Sequence, residues 1–300
     1  MKVLISGILG DIGESTSRIA QTLDFISEIH EIDIKANESS NKKNKFTIAP
    51  RAESPKYLEF INNYLKKHKI DIFIPTSEQE IQVISDLEDK IYKATRILIN
   101  GPEIINICFD KDKTMKFLDY FRLPTPSHGI VGLSEPEQFP VIVKPRRGRG
   151  SQNVEIISNL KLLSRYGSEF IWQELLLPDD EEYTCAVFVS KTKKVRILIL
   201  KRTLKNGISN SGVVVKDSII QSYVLSITKK LNFSGCINIQ LRKTKKGPIL
   251  FEINPRLSST VFYRHEMGFS DLKWWIEDKC ESDISSYHEP EAGTSFVRIE

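Results

Sequence analysis

The chain has 300 residues, 40% of them hydrophobic and 27% charged, with a formal net charge of +4. That balance describes a soluble globular protein with a sizeable core, as two compact units or one large one. Lysine clusters at 42–45, 66–69, 193–194, 229–230 and 245–246 are scattered and read as solvated turns, so no nucleic-acid partner is expected.

No apolar run reaches the length of a membrane span, and Asp11 interrupts the opening MKVLISGILGDIG too early for a signal peptide. The four cysteines, Cys108, Cys185, Cys236 and Cys280, show no CxxC pairing and are expected as reduced, buried thiols. A cytoplasmic protein without a membrane partner is the expectation.

Taken in order, residues 2–10 form a buried strand running into a glycine turn, followed by a helix over 11–23. Gly7, Gly10 and Gly13 have the look of a phosphate-cradling turn, but the spacing G-x-x-G-x-x-G lacks the tight first pair of the dinucleotide fingerprint. Strands are expected at 28–34, 71–80 and 95–100, with a helix over 55–68, which makes a small parallel α/β unit. Thr76, Ser77, Glu78 and Glu80 at the third strand's end either face a ligand crevice or cap a helix.

A helix over 103–121 ends before LPTP, and a strand at 127–131 follows. The strand VIVK (141–144) enters PRRGRGSQNVEII, a Gly- and Arg-rich loop between two β-prone runs. It either folds over polyphosphate or is a solvated basic turn. Further strands are expected at 169–177, 181–190 and 195–202, then the glycine-broken KNGISNSGVVV and a helix over 217–231. Several antiparallel strands with helices on one side make an α+β unit. The segment after Arg256 reads as helical, with Phe262, Met267, Leu272, Trp274 and Trp275 in the core and His265 as a local hydrogen-bonding group.

Most informative is the pair CINIQLR (236–242) and PILFEINPRLS (248–258). A hairpin with Lys245, Lys246 and Gly247 as its loop pairs Gln240 with Glu252 and Asn238 with Asn254. These four polar side chains then share one face, and Ile237, Ile239, Leu241, Phe251 and Ile253 the other. Such a face is either solvated or a Mg²⁺ site of hard oxygen donors, with Arg256 placed for one more phosphate oxygen.

Together these segments resemble the ATP-grasp superfamily, and within it the synthetase domain of the carbamoyl phosphate synthase large subunit, over nearly the whole chain. The resemblance implies an α/β plus α+β chain: an ATP-grasp fold with an N-terminal, Rossmann-like pre-ATP-grasp domain at 1–103. A central subdomain with the glycine-rich loop would span 104–171, and a C-terminal subdomain with the metal site 172–300. Asp110, Lys111, Thr114, Phe117, Leu118 and LPTP match one family segment, so Lys111, or else Lys113, contacts ATP phosphate. Lys144 matches the second family lysine, and Gly148, Gly150 and Ser151 the mobile loop. Glu174, Leu175 and Leu176 fall at the adenine hinge and Glu182 at the ribose hydroxyls. Gln240, Glu252 and Asn254 match the metal ligands, for Mg²⁺ or else Mn²⁺. Arg202 and Arg256 would flank the transferred phosphate as catalytic groups. Substrate candidates are Glu78, Gly207, Ser209, Ser258 and Ser259, with Arg264 as a further pocket residue.

Two departures stand out: Ser209 replaces a histidine of the carbamoyl phosphate synthase domain, and Ser259 replaces a second arginine. The chain also carries one grasp unit instead of two. They argue against bicarbonate and carbamate as substrates. The implied function is ATP-dependent ligation: a small carboxylate is activated as an acyl phosphate and attacked by an amine or similar nucleophile, possible in a homodimer. Alternatives are an idle nucleotide-binding regulatory or assembly module, and an NAD-dependent oxidoreductase resting on the glycine turn alone.

Overall fold

In this computed structural model, residues 1–36, 44–148, 153–205 and 207–298 are described. The first part is a parallel sheet of order β3-β2-β1-β4-β5. It is built from β1 (Lys2–Ser6), α1 (Asp11–Ala20), β2 (Glu28–Asp33), β3 (Lys45–Ile48), α2 (Tyr57–His68), β4 (Ile72–Ile74), α3 (Glu78–Asp86) and β5 (Arg96–Ile97). Strands of such a sheet are apolar on both faces, and Val3, Leu4 and Ile5 are wholly buried. Leu4 and Phe73 pack with α2 and α3, while Val3, Ile5, Ile72 and Ile74 face α1 and the rest of the molecule.

Three sequence expectations change in this part. β3, a short edge strand, had no counterpart in the sequence reading. The strand expected over 71–80 stops at Ile74, because Ser77 caps α3 by accepting from the Glu80 amide. The helix expected over 11–23 ends at Ala20.

Next come α4 (Pro102–Cys108) and α5 (Lys111–Tyr120). One expected helix is thus two, because Asp110 leaves helical geometry to cap α5 through the Asp112 amide. A four-stranded sheet of order β6-β9-β7-β8 follows, made of β6 (His128–Ile130), β7 (Val141–Pro145), β8 (Glu155–Ile157) and β9 (Phe170–Glu174) with α6 (Leu160–Leu163). Val141, Val143, Ile157 and Trp172 give it a core of its own.

The remaining elements are β10 (Glu182–Val189), β11 (Val195–Lys205), β12 (Ile208–Val214), α7 (Ser218–Leu231), β13 (Gly235–Thr244), β14 (Gly247–Asn254), α8 (Val261–Glu266), α9 (Asp271–Lys279) and β15 (Ser295–Val297). Their strands form a six-stranded antiparallel sheet, β14-β13-β10-β11-β12-β15. Helices lie on both of its faces, where one side was expected. Cys185, Val187, Ile237 and Ile239 pack against α4, α5 and α7. On the other face Phe188, Leu198 and Cys236 meet α8, α9 and the first sheet in one shared core. That second cover reaches only part of the way. The same alternation brings Glu182, Arg202, Gln240, Arg242 and Glu252 onto the uncovered end of this face, where they line cavities.

The hairpin register is as expected at its functional end, with Asn238 opposite Asn254 and Gln240 opposite Glu252. Beyond it the register shifts: Leu241 pairs with Leu250 and Thr244 with Gly247, leaving Phe251 as a bulge and a two-residue turn, Lys245-Lys246. Gly247 takes a positive φ of 104° there. The bulge turns Phe251 into a cavity, away from the core face assigned to it by strict alternation.

In the last turn of α8, Arg264 donates through Nη1 to Ser258 Oγ at 2.7 Å and Thr260 Oγ1 at 2.9 Å, and through Nε and Nη2 to Asp271 at 3.0 and 2.5 Å. Arg264 and Asp271 are each 1% exposed. Asp271→Ala would leave an uncompensated buried guanidinium, and the expected loss is about 3–5 kcal/mol of unfolding free energy, measured by urea denaturation.

Candidate active site

Two cavities meet at the uncovered end of the six-stranded sheet. The smaller, about 230 Å³, lies between this sheet and β7 and β9. Its lining includes Lys111, Lys144, Gly148, Glu174, Leu175, Leu176 and Glu182, with Phe251 among its apolar walls. Gly150 and Ser151 lie outside the described residues.

Each lysine is aimed by its element. Lys111 opens α5, and its Nζ donates to the Gly148 carbonyl at 3.1 Å and stands 4.0 Å from Glu252 Oε1. Lys113, one position past Asp112, instead reaches outward to Asn106 Oδ1 at 2.6 Å. Lys144 on β7 donates to the Phe251 carbonyl at 3.0 Å, a group presented by the bulge. Burial, and then the charge of Lys111, lower its pKa to about 7 against the pull of Glu252 and Glu182. Arg146 grips Asp110 with Nε and Nη2 at 3.2 and 2.8 Å, which ties the base of the glycine loop to the start of α5.

Glu252 carries the opposite charge. Burial works to raise its pKa, but Lys111, Lys144, Arg256 and Arg202 together hold the carboxyl below its ordinary value, so it is an anion. Arg202 on β11 donates to Glu182 Oε1 at 3.1 and 2.8 Å, to Gln240 Oε1 at 3.0 Å and to Ser209 Oγ at 3.2 Å. Arg242 takes the other Glu182 oxygen at 2.7 Å and the Leu176 carbonyl at 2.6 Å. The sequence reading missed Arg242, although it follows Gln240 by two on one strand and therefore shares its face.

The larger cavity, about 630 Å³, faces the carboxyl ends of the parallel strands. Gly7, Gly10 and Gly13 line this one and not the smaller. Gly13 has no room for a side chain, since a Cβ would stand 2.1 Å from the Gly7 carbonyl oxygen. Gly207, Ser258, Ser259, Asn254 and Arg256 are in its wall. Glu78 is the partner of Arg256, at 2.5 Å, so this candidate substrate contact is already spent on an arginine of the other sheet. Ser209 is 1% exposed behind Arg202, and Arg264 is sealed in its own ion pair, so neither lines a cavity.

Glu80 also lines the larger cavity, nearly buried, accepting hydrogen bonds from Ser6 and from Tyr57 at 2.6 Å. Burial pushes its pKa up to about 7 in spite of both bonds.

No group of three or more His, Cys, Asp or Glu side chains among the described residues is placed to hold a metal ion unaided. Glu252, with Gln240 and Asn254, offers one carboxylate and two amide oxygens, the hard donor set that suits Mg²⁺ when phosphates and water complete the shell. The ionised state of Glu252 meets the same requirement.

Comparison with known proteins finds matches in sequence and in fold. A family description, ATP-grasp in the biosynthetic pathway with Ter operon, matches residues 169–299. N5-carboxyaminoimidazole ribonucleotide synthetase from Thermus thermophilus superposes with a TM-score of 0.77 at 13% identity, covering 99% of this chain and 82% of that one. The biotin carboxylase domain dimer of 2-oxoglutarate carboxylase from Hydrogenobacter thermophilus, solved with MgADP, ADP and bicarbonate, gives 0.76 at 15% identity over 98% of this chain and 73% of that one. The chain therefore has an ATP-grasp fold, shared with these structures over nearly its whole length, and its residues 169–299 match that family description. Among sequence relatives, the carbamoyl phosphate synthase large chain of Methanothrix thermoacetophila is 23% identical over 295 residues, 83% of this chain and 27% of its own. The chain is similar to a part of those large chains and spans about a quarter of their length.

Glu80 supplies a pH test of the larger cavity. Between its ordinary 4.5 and about 7 the folded protein keeps a proton that the unfolded chain has released, so this group's contribution to stability falls as pH rises through that window. Glu80→Gln is expected to make the decline in melting temperature from about pH 5 to about pH 8 shallower than in the wild type. Parallel curves for the two proteins would show that Glu80 titrates normally.

Proposed function

We propose that the chain is an ATP-dependent ligase that activates a small carboxylate as an acyl phosphate and passes the acyl group to an amine or similar nucleophile. The observation that carries this reading is a shared wall: Arg202, Gln240 and Glu252 line both cavities. ATP in the smaller one presents its terminal phosphate to whatever occupies the larger.

In this reading Lys111 and Lys144 hold the phosphates, with Gly148 at the base of the loop that covers them. The Glu174–Leu176 backbone meets the adenine and Glu182 the ribose, with Arg202 and Arg242 keeping the Glu182 carboxylate in place. Gln240, Glu252 and Asn254 hold Mg²⁺, and Mn²⁺ suits the same oxygen donors. A metal held there would supply positive charge to offset that of the phosphates. A substrate carboxylate oxygen attacks the γ-phosphorus as the bond to the ADP oxygen breaks. The nucleophile then adds to the acyl carbon, loses its proton, and phosphate departs.

Phosphoryl transfer of this kind asks the protein for position and charge, not covalent chemistry. Arg202 and Arg256 stand on the cavity walls as the cations nearest the developing charge. Gly207, Ser258 and Ser259 contribute to the acceptor wall. The reading includes a cytoplasmic protein with small-molecule substrates, and a homodimer as the assembly to test. No helix among the described residues is long and apolar enough to cross a membrane.

Glu252→Ala is expected to abolish ADP release from Mg-ATP while the circular dichroism spectrum stays native; the melting temperature falls, because Lys111 and Lys144 lose their shared carboxylate. The loss corresponds to on the order of 2–4 kcal/mol or more in the barrier, by analogy with other anion-stabilising groups. Turnover is read against a panel of amino, hydroxy and sugar acids with hydroxylamine as trap. A hydroxamate from one of them supports acyl-phosphate chemistry, and wild-type turnover in the variant rules out the metal assignment. Tight Mg-ATP binding with no turnover on any acid points to a regulatory module.

A further inference from the structure

The larger cavity has a reacting end and a far end, and the two differ in how their charges are spent. At the reacting end, charged groups already have partners within the protein. Arg256 is bound to Glu78, Arg202 to Glu182, and Asp11 accepts from Arg298. Glu80 accepts from two hydroxyls. Asp33, at the far end, spends its carboxylate oxygens on the amides of Leu9 and Ile34. Lys35 and Arg51 also line this cavity, and neither has a hydrogen-bond or ion-pair partner among the described residues.

Topology brings these two cations together. Lys35 follows the end of β2 by two residues and Arg51 the end of β3 by three. The strands run parallel and stay paired to their tips, where the Ala49 amide donates to the Asp33 carbonyl at 2.8 Å. Both side chains therefore leave from one corner of the sheet. In the order β3-β2-β1-β4, two strand spacings separate the end of β2, and three the end of β3, from the end of β4, where Glu78 holds Arg256. At about 4.8 Å per spacing this is roughly 10–14 Å. A cavity of about 630 Å³ accommodates a molecule of that length, in the usual range for small-molecule sites.

Resting on the ligase reading above, we propose that the substrate of the larger cavity is an elongated molecule whose far end is an anionic group, phosphate or carboxylate, held by Lys35 and Arg51. Glu53, also in the wall and without a partner among the described residues, accepts a hydroxyl or ammonium donor placed beside that anion. A one-carbon acid or free ammonia would leave this whole end of the cavity unused.

The test titrates inorganic phosphate and, separately, succinate into the full-length protein, with and without saturating MgADP, and compares wild type with the Lys35→Glu/Arg51→Glu double variant by calorimetry. Both residues are exposed, so the variant is expected to melt with the wild type and to keep its MgADP affinity. The expected result is saturable binding of at least one anion by the wild type, weakened at least about tenfold in the variant, as for loss of charge-assisted hydrogen bonds. Phosphate preferred over succinate assigns a phosphate tail, and the reverse a carboxylate tail. Equal affinity in both proteins places the anion elsewhere and overturns the proposal, as does the absence of saturable binding into the tens of millimolar. Failure of MgADP to bind would instead overturn the nucleotide reading, and the anion titration without nucleotide still decides the tail.

Discussion

Two lysines sharing one carboxylate is the constraint on which the site depends. Arg202 and Arg256 have acidic partners of their own in Glu182 and Glu78, but Lys111 and Lys144 both lean on Glu252. Burial, with the charge of Lys111 added to it, brings Lys144 down to about 7. A polyanion entering between the lysines removes that conflict, because each ammonium then faces negative charge and not its neighbour. The fold tolerates the arrangement because both lysines also have backbone acceptors, the carbonyls of Gly148 and Phe251. The Phe251 carbonyl is available because a bulge releases that residue from regular pairing.

Much of this was legible in the sequence. The Gln240/Glu252 and Asn238/Asn254 pairing follows from period-2 alternation, since a slip by one residue would bury the polar set. Alternation cannot show a bulge, so Phe251 was assigned to the wrong face and the turn came out one residue too long. The break between α4 and α5 was visible only as Asp110, whose capping role competes with its modest helix propensity. β3 escaped because four residues at a sheet edge carry little pattern, and β15 because three residues carry less. The expectation of helices on one side of the large sheet failed for another reason. Phe188, Leu198 and Cys236 lie on the same face as Glu182 and Gln240, and only the third dimension shows that the apolar end is roofed and the polar end open.

Side-chain partnerships were the least legible. Nothing local connects Glu78 with Arg256, 178 residues apart, or Asp11 with Arg298, 287 apart. Yet these pairs, with Asn100 donating to the carbonyls of Cys236 and Pro255 at 2.7 and 2.8 Å, tie the first sheet to the grasp sheet around the larger cavity. Glu78 read from sequence as a substrate contact because a carboxylate at a strand end is a reasonable ligand. The structure spends it on an arginine, and a group already paired in a partly buried site is a poor place to look for free binding capacity.

That distinction separates the two cavities. The smaller is built from groups that converge from α5, β7, β9, β10, β13 and β14, so a change in any one of them disturbs several others. The larger keeps its unspent charges on short segments after β2 and β3, whose side chains bear on no core contact. On the proposed reading, chemistry at the phosphate would be tied to the scaffold, whereas recognition of the molecule beside it would rest on strand-end loops that can change without cost to the fold. Relatives sharing under a fifth of their residues with this chain can keep the architecture and still differ in what they join. If the ligase reading holds, the identity of the acceptor becomes a question about Lys35, Arg51 and their neighbours more than about Glu252.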